Sequence, residues 1–189
     1  MSVASERTAR GSVVQATLAF LDRELEREEV DRILSRLPQG TGSRLRTVES
    51  QDEVSIDELL ALWRAADQEL GERDPEWMER AGAFSIDRAG RRQYGGIVGK
   101  PSPVEFLTQR VSLFRLFYRT GRMEVVWHGE GRALLRLVDF GASDPLFCRR
   151  QTGGLRQALS LARGGEPRVR HVRCVHEGDA FCEWALSWE

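Results

Sequence analysis

The chain has 189 residues, of which 41% are hydrophobic and 30% charged, and its formal net charge is -1. That apolar content excludes a disordered chain and suits one sizeable domain with its own core. The charge balance lacks the basic surplus that a nucleic-acid backbone demands, and no run of about 18 apolar residues is present to span a bilayer.

Residues 1–10 are polar and expected to be disordered, which leaves 11–189 as a single ligand-binding-like domain. The same stretch lacks the apolar segment of a secretory signal, so the expected location is the cytoplasm. Val14, Leu18, Leu21 and Leu25 recur on one face and predict a helix from Val13 to Leu25. Val30, Ile33, Leu34 and Leu37 continue a second helical stripe, which Pro38 ends. Gly40, Gly42 and Ser43 make the segment from Gln39 to Glu53 read as a loop. Ser55 and Glu58 have capping-box spacing and open a helix that stops near Gly71. Asp74-Pro75 begins a short helix carrying Trp77 and Met78. Five glycines make the stretch from Gly82 to Gly99 read as irregular.

Ser102-Pro103 opens the clearest helix, with Val104, Leu107, Val111, Phe114 and Phe117 at spacings of three and four and Gly121 as its stop. The period then changes to two. Met123, Val125 and Trp127 alternate, His128 to Gly131 turns, and Ala133 to Asp139 alternates again, which is a hairpin. A helix from about Asp144 to Arg163, interrupted or thinned at Gly153-Gly154, precedes a second hairpin made of Arg168 to His176 and Phe181 to Trp188. Helices first and then ββαββ predict an α+β domain, its N-terminal helices packed on a small antiparallel sheet.

Charge is unevenly spread along this order. Glu49 to Glu79 holds eleven acidic residues against Arg64 and Arg73, and Arg149 to Arg173 holds seven arginines against Glu166. Two solvated faces account for this, as does an acidic face meeting a basic one across a subunit or partner interface.

Three cysteines in a chain of cytoplasmic character argue against a disulfide framework. Cys174 and Cys182 lie on either side of Glu177-Gly178-Asp179. A three-residue turn there would set them opposite on one sheet face, and a two-residue turn would put them on opposite faces. Facing thiolates can share a zinc ion, with Cys148 as a third ligand and His128 or His176 as candidates for the fourth. Simple burial of small apolar thiols and a redox disulfide are the other readings.

The segment from Gly141 to Trp188 resembles the 4-vinyl reductase-type small-molecule-binding domains. The matching residues are Gly141-Ala142-Ser143-Asp144-Pro145 leading to Cys148, then Gly153-Gly154-Leu155, then Cys174 to Cys182 ended by Trp184 and Trp188. That superfamily includes the sensor domains of aromatic-responsive activators, and it shares its fold with heme–nitric-oxide-binding domains and a vesicle-tethering subunit family. The resemblance implies a hydrophobic small molecule held between helices and sheet, a protein partner for output and a homodimer. In the aromatic-sensing relatives three cysteines placed like Cys148, Cys174 and Cys182 hold a structural zinc with an upstream acidic residue. The counterpart of that acid here falls near Trp127 or His128.

Phe106, Leu107, Phe114, Phe117, Tyr118 and Trp127 are the candidates for lining a pocket, and the same residues would also serve as core. No nucleophile elbow, phosphate-cradling loop or dinucleotide fingerprint is present, so no enzyme is expected. Heme is not expected either, because His128, His171 and His176 all fall on predicted strands or turns rather than on a helix. The reading is a sensory or adaptor domain, with a closed-core protein scaffold as the alternative and a tetrapyrrole-related reductase subunit behind it.

Overall fold

A computed structural model describes residues 7–93, 103–141, 144–162 and 166–188; the side chains of 89–93 and of several residues in the sixth helix, Phe106 among them, fall outside the description. The elements in chain order are Thr8–Arg10 (β1), Gly11–Glu24 (α1), Arg27–Ser35 (α2), Thr41–Thr47 (α3), Glu53–Ser55 (β2) and Ile56–Leu70 (α4). Trp77–Gln93 (α5), Pro103–Phe117 (α6), Arg122–Gly129 (β3), Arg132–Val138 (β4), Pro145–Leu161 (α7), Arg168–Arg173 (β5) and Cys182–Ser187 (β6) follow. The architecture is α+β, helices first and a four-stranded antiparallel sheet at the C-terminal end, in the order β3-β4-β6-β5. No described helix is long and apolar enough to cross a membrane.

Local signals explain the starts of α2, α4 and α7. Ser55 caps α4 by accepting from the Asp57 N–H, and Asp144 caps α7 by accepting from the Leu146 N–H with Pro145 in the first turn. Glu26 and Glu29 bond each other's backbone reciprocally at the start of α2. In the central strand pair, Leu135 faces Trp184, Leu137 faces Cys182 and Ala133 faces Leu186, and all six are buried on the helix-covered side.

Several expectations change at this level. Thr8–Arg10, inside the stretch expected to be disordered, is a strand paired with Glu53–Ser55, and the Arg119 N–H donates to the Thr8 carbonyl. The segment expected as a loop contains α3, entered through Gly40 at φ 81°. Residues 82–93 are not irregular but belong to α5, and α7 runs unbroken through Gly153-Gly154; residues 94–99 lie outside the described residues. One physical reason covers both helices. A Cβ on Gly82 would sit 2.1 Å from the Arg150 carbonyl oxygen, and one on Gly153 would sit 1.9 Å from that of Glu79. These glycines let α5 and α7 cross backbone against backbone.

Much of the acidic stretch is paired within the chain, and two arginines of the basic stretch, Arg156 and Arg173, are paired as well. Glu53 pairs with Arg10 and Arg119, Glu58 with Arg44, Glu69 with Arg36, and Asp74 with Arg80. Arg156 reaches back to Glu79, while Arg173 and Arg136 converge on the buried Glu183.

Candidate metal centre and ligand cavity

The C-terminal hairpin turns by neither of the expected simple loops. After β5 the chain makes a 3-10 turn at Val175–Glu177 and passes through Gly178 at φ 94°. The Glu177 and Asp179 N–H groups both donate to the Cys174 carbonyl, and Asp179 accepts from the Cys174 N–H at 2.8 Å. That folding presses Cys174 toward Cys182, the first residue of β6, and toward Cys148 in the second turn of α7.

The three sulfurs and one histidine nitrogen lie within 4.8 Å of one another, and the histidine is His171. Cys148 and Cys182 are in direct contact at 3.5 Å, and all three cysteines are buried. The pairing of β5 with β6 is irregular between His171 and Arg173, which brings His171 and Cys174 to the same side despite their odd spacing. The His171 ring stacks on Trp184 at 4.7 Å, and its Nε2 is buried with no hydrogen-bond partner among the described residues. The hydrogen bond from Cys148, with His171 beside it, draws the Cys182 thiol below its ordinary range; the same contact and burial push Cys148 up. Burial pushes Cys174 up as well. Three sulfurs and an imidazole nitrogen at this spacing make the donor set of a closed tetrahedral site. His128 and His176, the fourth-ligand candidates from sequence, are exposed and outside this cluster.

A separate cavity of about 260 Å³ lies where α1, α5, the end of α6, β3 and α7 meet. Phe114, Phe117, Tyr118 and Met123 supply its apolar wall. Tyr118 packs edge-on to Phe140 and Phe147, 5.8 and 5.3 Å away, which fixes its ring. Arg150 of α7 lines the same cavity although it is buried.

Of the pocket residues read from sequence, Phe114, Phe117 and Tyr118 line this cavity. Leu107 is buried in the core, away from it, and the Phe106 side chain is outside the described residues. Trp127 does not reach the cavity. A bulge between Val125 and Trp127 breaks the strict alternation of β3, and Trp127 is 53% exposed with its indole against Gly129. Arg150 and His171 escaped the sequence reading. An arginine inside a helix looks like surface, and the signal for His171 is its short interval to Cys174.

No protein-family profile matches the sequence, and no curated protein resembles it. Solved structures do. The Fe(II) unliganded H-NOX protein from K. algicida superimposes with a TM-score of 0.75 at 10% identity, over 95% of this chain and 96% of that one. The H-NOX protein from S. oneidensis in the Fe(II)NO ligation state gives 0.67 at 14%, over 95% and 99%. A structure described as probing heme distortion in the H-NOX family gives 0.70 at 14%, over 95% of each chain. The 4-vinyl reductase assignment drawn from the terminal hairpin receives no support from these structures, nor does zinc as the cofactor. They also overturn the exclusion of heme. That exclusion rested on the lack of a helix-borne histidine, yet the fold houses proteins named for heme, and tyrosine and methionine are axial ligands elsewhere. The chain has the H-NOX fold along nearly its whole length.

Proposed function

We propose that the chain is a non-catalytic sensor domain that takes a small, largely apolar molecule into the cavity beside α7 and passes the event to a partner protein or a second copy of itself. The observation that carries this reading is the cavity of about 260 Å³ walled by Phe114, Phe117, Tyr118 and Met123. Its size falls near the lower edge of small-molecule sites, roughly 300–1,000 Å³. The likeness to structures named for Fe(II), NO ligation and heme supports small-molecule sensing and puts heme among the molecules to test. Tyr118 and Met123 are the lining residues of a kind that ligates heme iron, and Phe114 and Phe117 would pack against a flat ring. Bound heme would supply a redox-active iron that takes a diatomic gas.

The residues around the cavity bind rather than react. Among the described residues its lining contains no histidine, cysteine or carboxylate, so Ser12, Ser50 and Ser85 have no general base beside them there. The cluster of Cys148, His171, Cys174 and Cys182 reads as a structural site for a soft divalent metal, since four protein ligands leave no open position for water.

Native mass spectrometry of freshly purified protein, with its visible absorbance spectrum, tests both parts. The expected result is a chain carrying one retained small molecule and one metal ion, and a Soret band identifies that molecule as heme. Bare polypeptide that takes up neither heme nor any apolar compound on incubation would replace the sensor by a closed-core scaffold.

A further inference from the structure

Arg150 is the buried cation at a cavity that serines, glutamines and the exposed Arg88 also line. It is 4% exposed, its guanidinium lies 5.1 Å from the Trp63 ring centroid, and one of its nitrogens, Nη2, donates to Ser85 Oγ. Ser85 spends its own hydrogen on the Ala81 carbonyl at 2.9 Å, so its oxygen is left to accept. The other terminal nitrogen, Nη1, is buried with no hydrogen-bond partner among the described residues. Burial depresses the pKa of Arg150, and Tyr118 is the neighbour that favours its charge. No acidic residue lines the cavity among the described residues. A buried cation with an unpartnered terminal nitrogen, and no carboxylate among the described lining residues, is costly unless something brings the anion in.

We infer that the cavity's ligand carries a carboxylate on an apolar body, and that Arg150 is the specificity-determining residue that receives it. This rests on the reading of the cavity as a ligand site. One guanidinium matches one negative charge, and its planar fork fits a carboxylate. Phe114, Phe117 and Met123 take the apolar body. A multiply charged phosphate would find a single buried cation, since Arg88 on the same lining is exposed, which favours the carboxylate.

Isothermal titration calorimetry on the full chain decides this with matched probes: octanoate against octanol, and naphthoate against naphthylmethanol. The chain-shaped and aromatic pairs tell a fatty acid from an aromatic acid, and a preference within either pair supports the proposal. The expected preference for the carboxylate is about tenfold or more, the worth of a charge-assisted hydrogen bond. It should vanish in Arg150→Gln while the alcohol's affinity stays, and the wild-type comparison stands alone if that variant fails to fold. Equal affinity for acid and alcohol in the wild type overturns the role of Arg150 and leaves the cavity a ligand site. Binding of neither member of either pair overturns the ligand-site reading and this inference with it.

Discussion

Threonine hydroxyls stand behind two of the three fully buried tryptophans, and each bonds in two directions. Thr152 accepts from the Trp184 indole N–H at 2.9 Å and donates to the Cys148 carbonyl at 3.0 Å. Thr17 does the same between Trp63 and the Val13 carbonyl, at 3.1 and 3.0 Å. An indole N–H in the core has no water to fall back on, so loss of its acceptor exposes the full desolvation penalty. Thr152→Val, nearly isosteric, should therefore lower stability by about 1–3 kcal/mol in urea denaturation. Because Trp184 also carries the stacked His171 ring, the same variant should weaken retention of any metal loaded into the cluster against a competing chelator, and unchanged retention would show the two to be independent. None of this pairing is legible in sequence. Threonine at these positions reads as an ordinary helix residue, and only the fold brings it to an indole 32 or 46 positions away.

At the level of elements, periodicity is a reliable guide where packing is one-sided. α6, the two hairpins and the order ββαββ follow from spacing alone, because each presents one apolar face to the core. Glycine misleads where packing is tight. Gly82, Gly153 and Gly154 read as helix breakers, yet they sit inside continuous helices because α5 and α7 touch backbone to backbone. The propensity cost of a helical glycine, about 1 kcal/mol, is smaller than what the close crossing recovers. Gly153→Ala, a change that would help an isolated helix, should instead cost about 3 kcal/mol or more, since its Cβ would lie 1.9 Å from the Glu79 carbonyl oxygen. Ser160→Ala, exposed on the same helix, should change stability by less than about 0.5 kcal/mol. Chemical denaturation of both variants checks the contrast; a neutral Gly153→Ala would mean the helices can separate at no cost. The irregularities in β3 and β5 are a second class of hidden feature. Each shifts strand parity by one, which turned Trp127 outward and brought in His171 rather than His176.

Across the whole molecule, the sheet and the helical layer are joined at two places of different character. Apolar packing and the aromatic group around Phe140 and Phe147, 4.3 Å apart, make one. The thiol–imidazole cluster makes the other, linking the start of α7 to a hairpin whose Cys182 lies 34 positions further along the chain. If a metal there contributes about 3 kcal/mol, its loss should lower Tm by roughly 6–12 °C for a chain of this length. Chelator treatment of the wild type and Cys174→Ser should produce the same drop, measured by differential scanning calorimetry, and an unchanged Tm in both would reduce the cluster to packed thiols. The three cysteines of this cluster could be singled out in the sequence from the hairpin motif. The cavity could be foreseen only as a set of aromatic candidates, because its shape and its cation depend on how α1, α5 and α7 are arranged.

Cys148 and Arg150 stand two residues apart on α7, about 200° around the helix axis, so one looks toward the sheet's sulfurs and the other toward the aromatic hollow. A single turn of helix is too stiff to bend between them. Twisting it to reposition the guanidinium also swings the thiol, and anchoring the thiol sets the angle at which the guanidinium is offered.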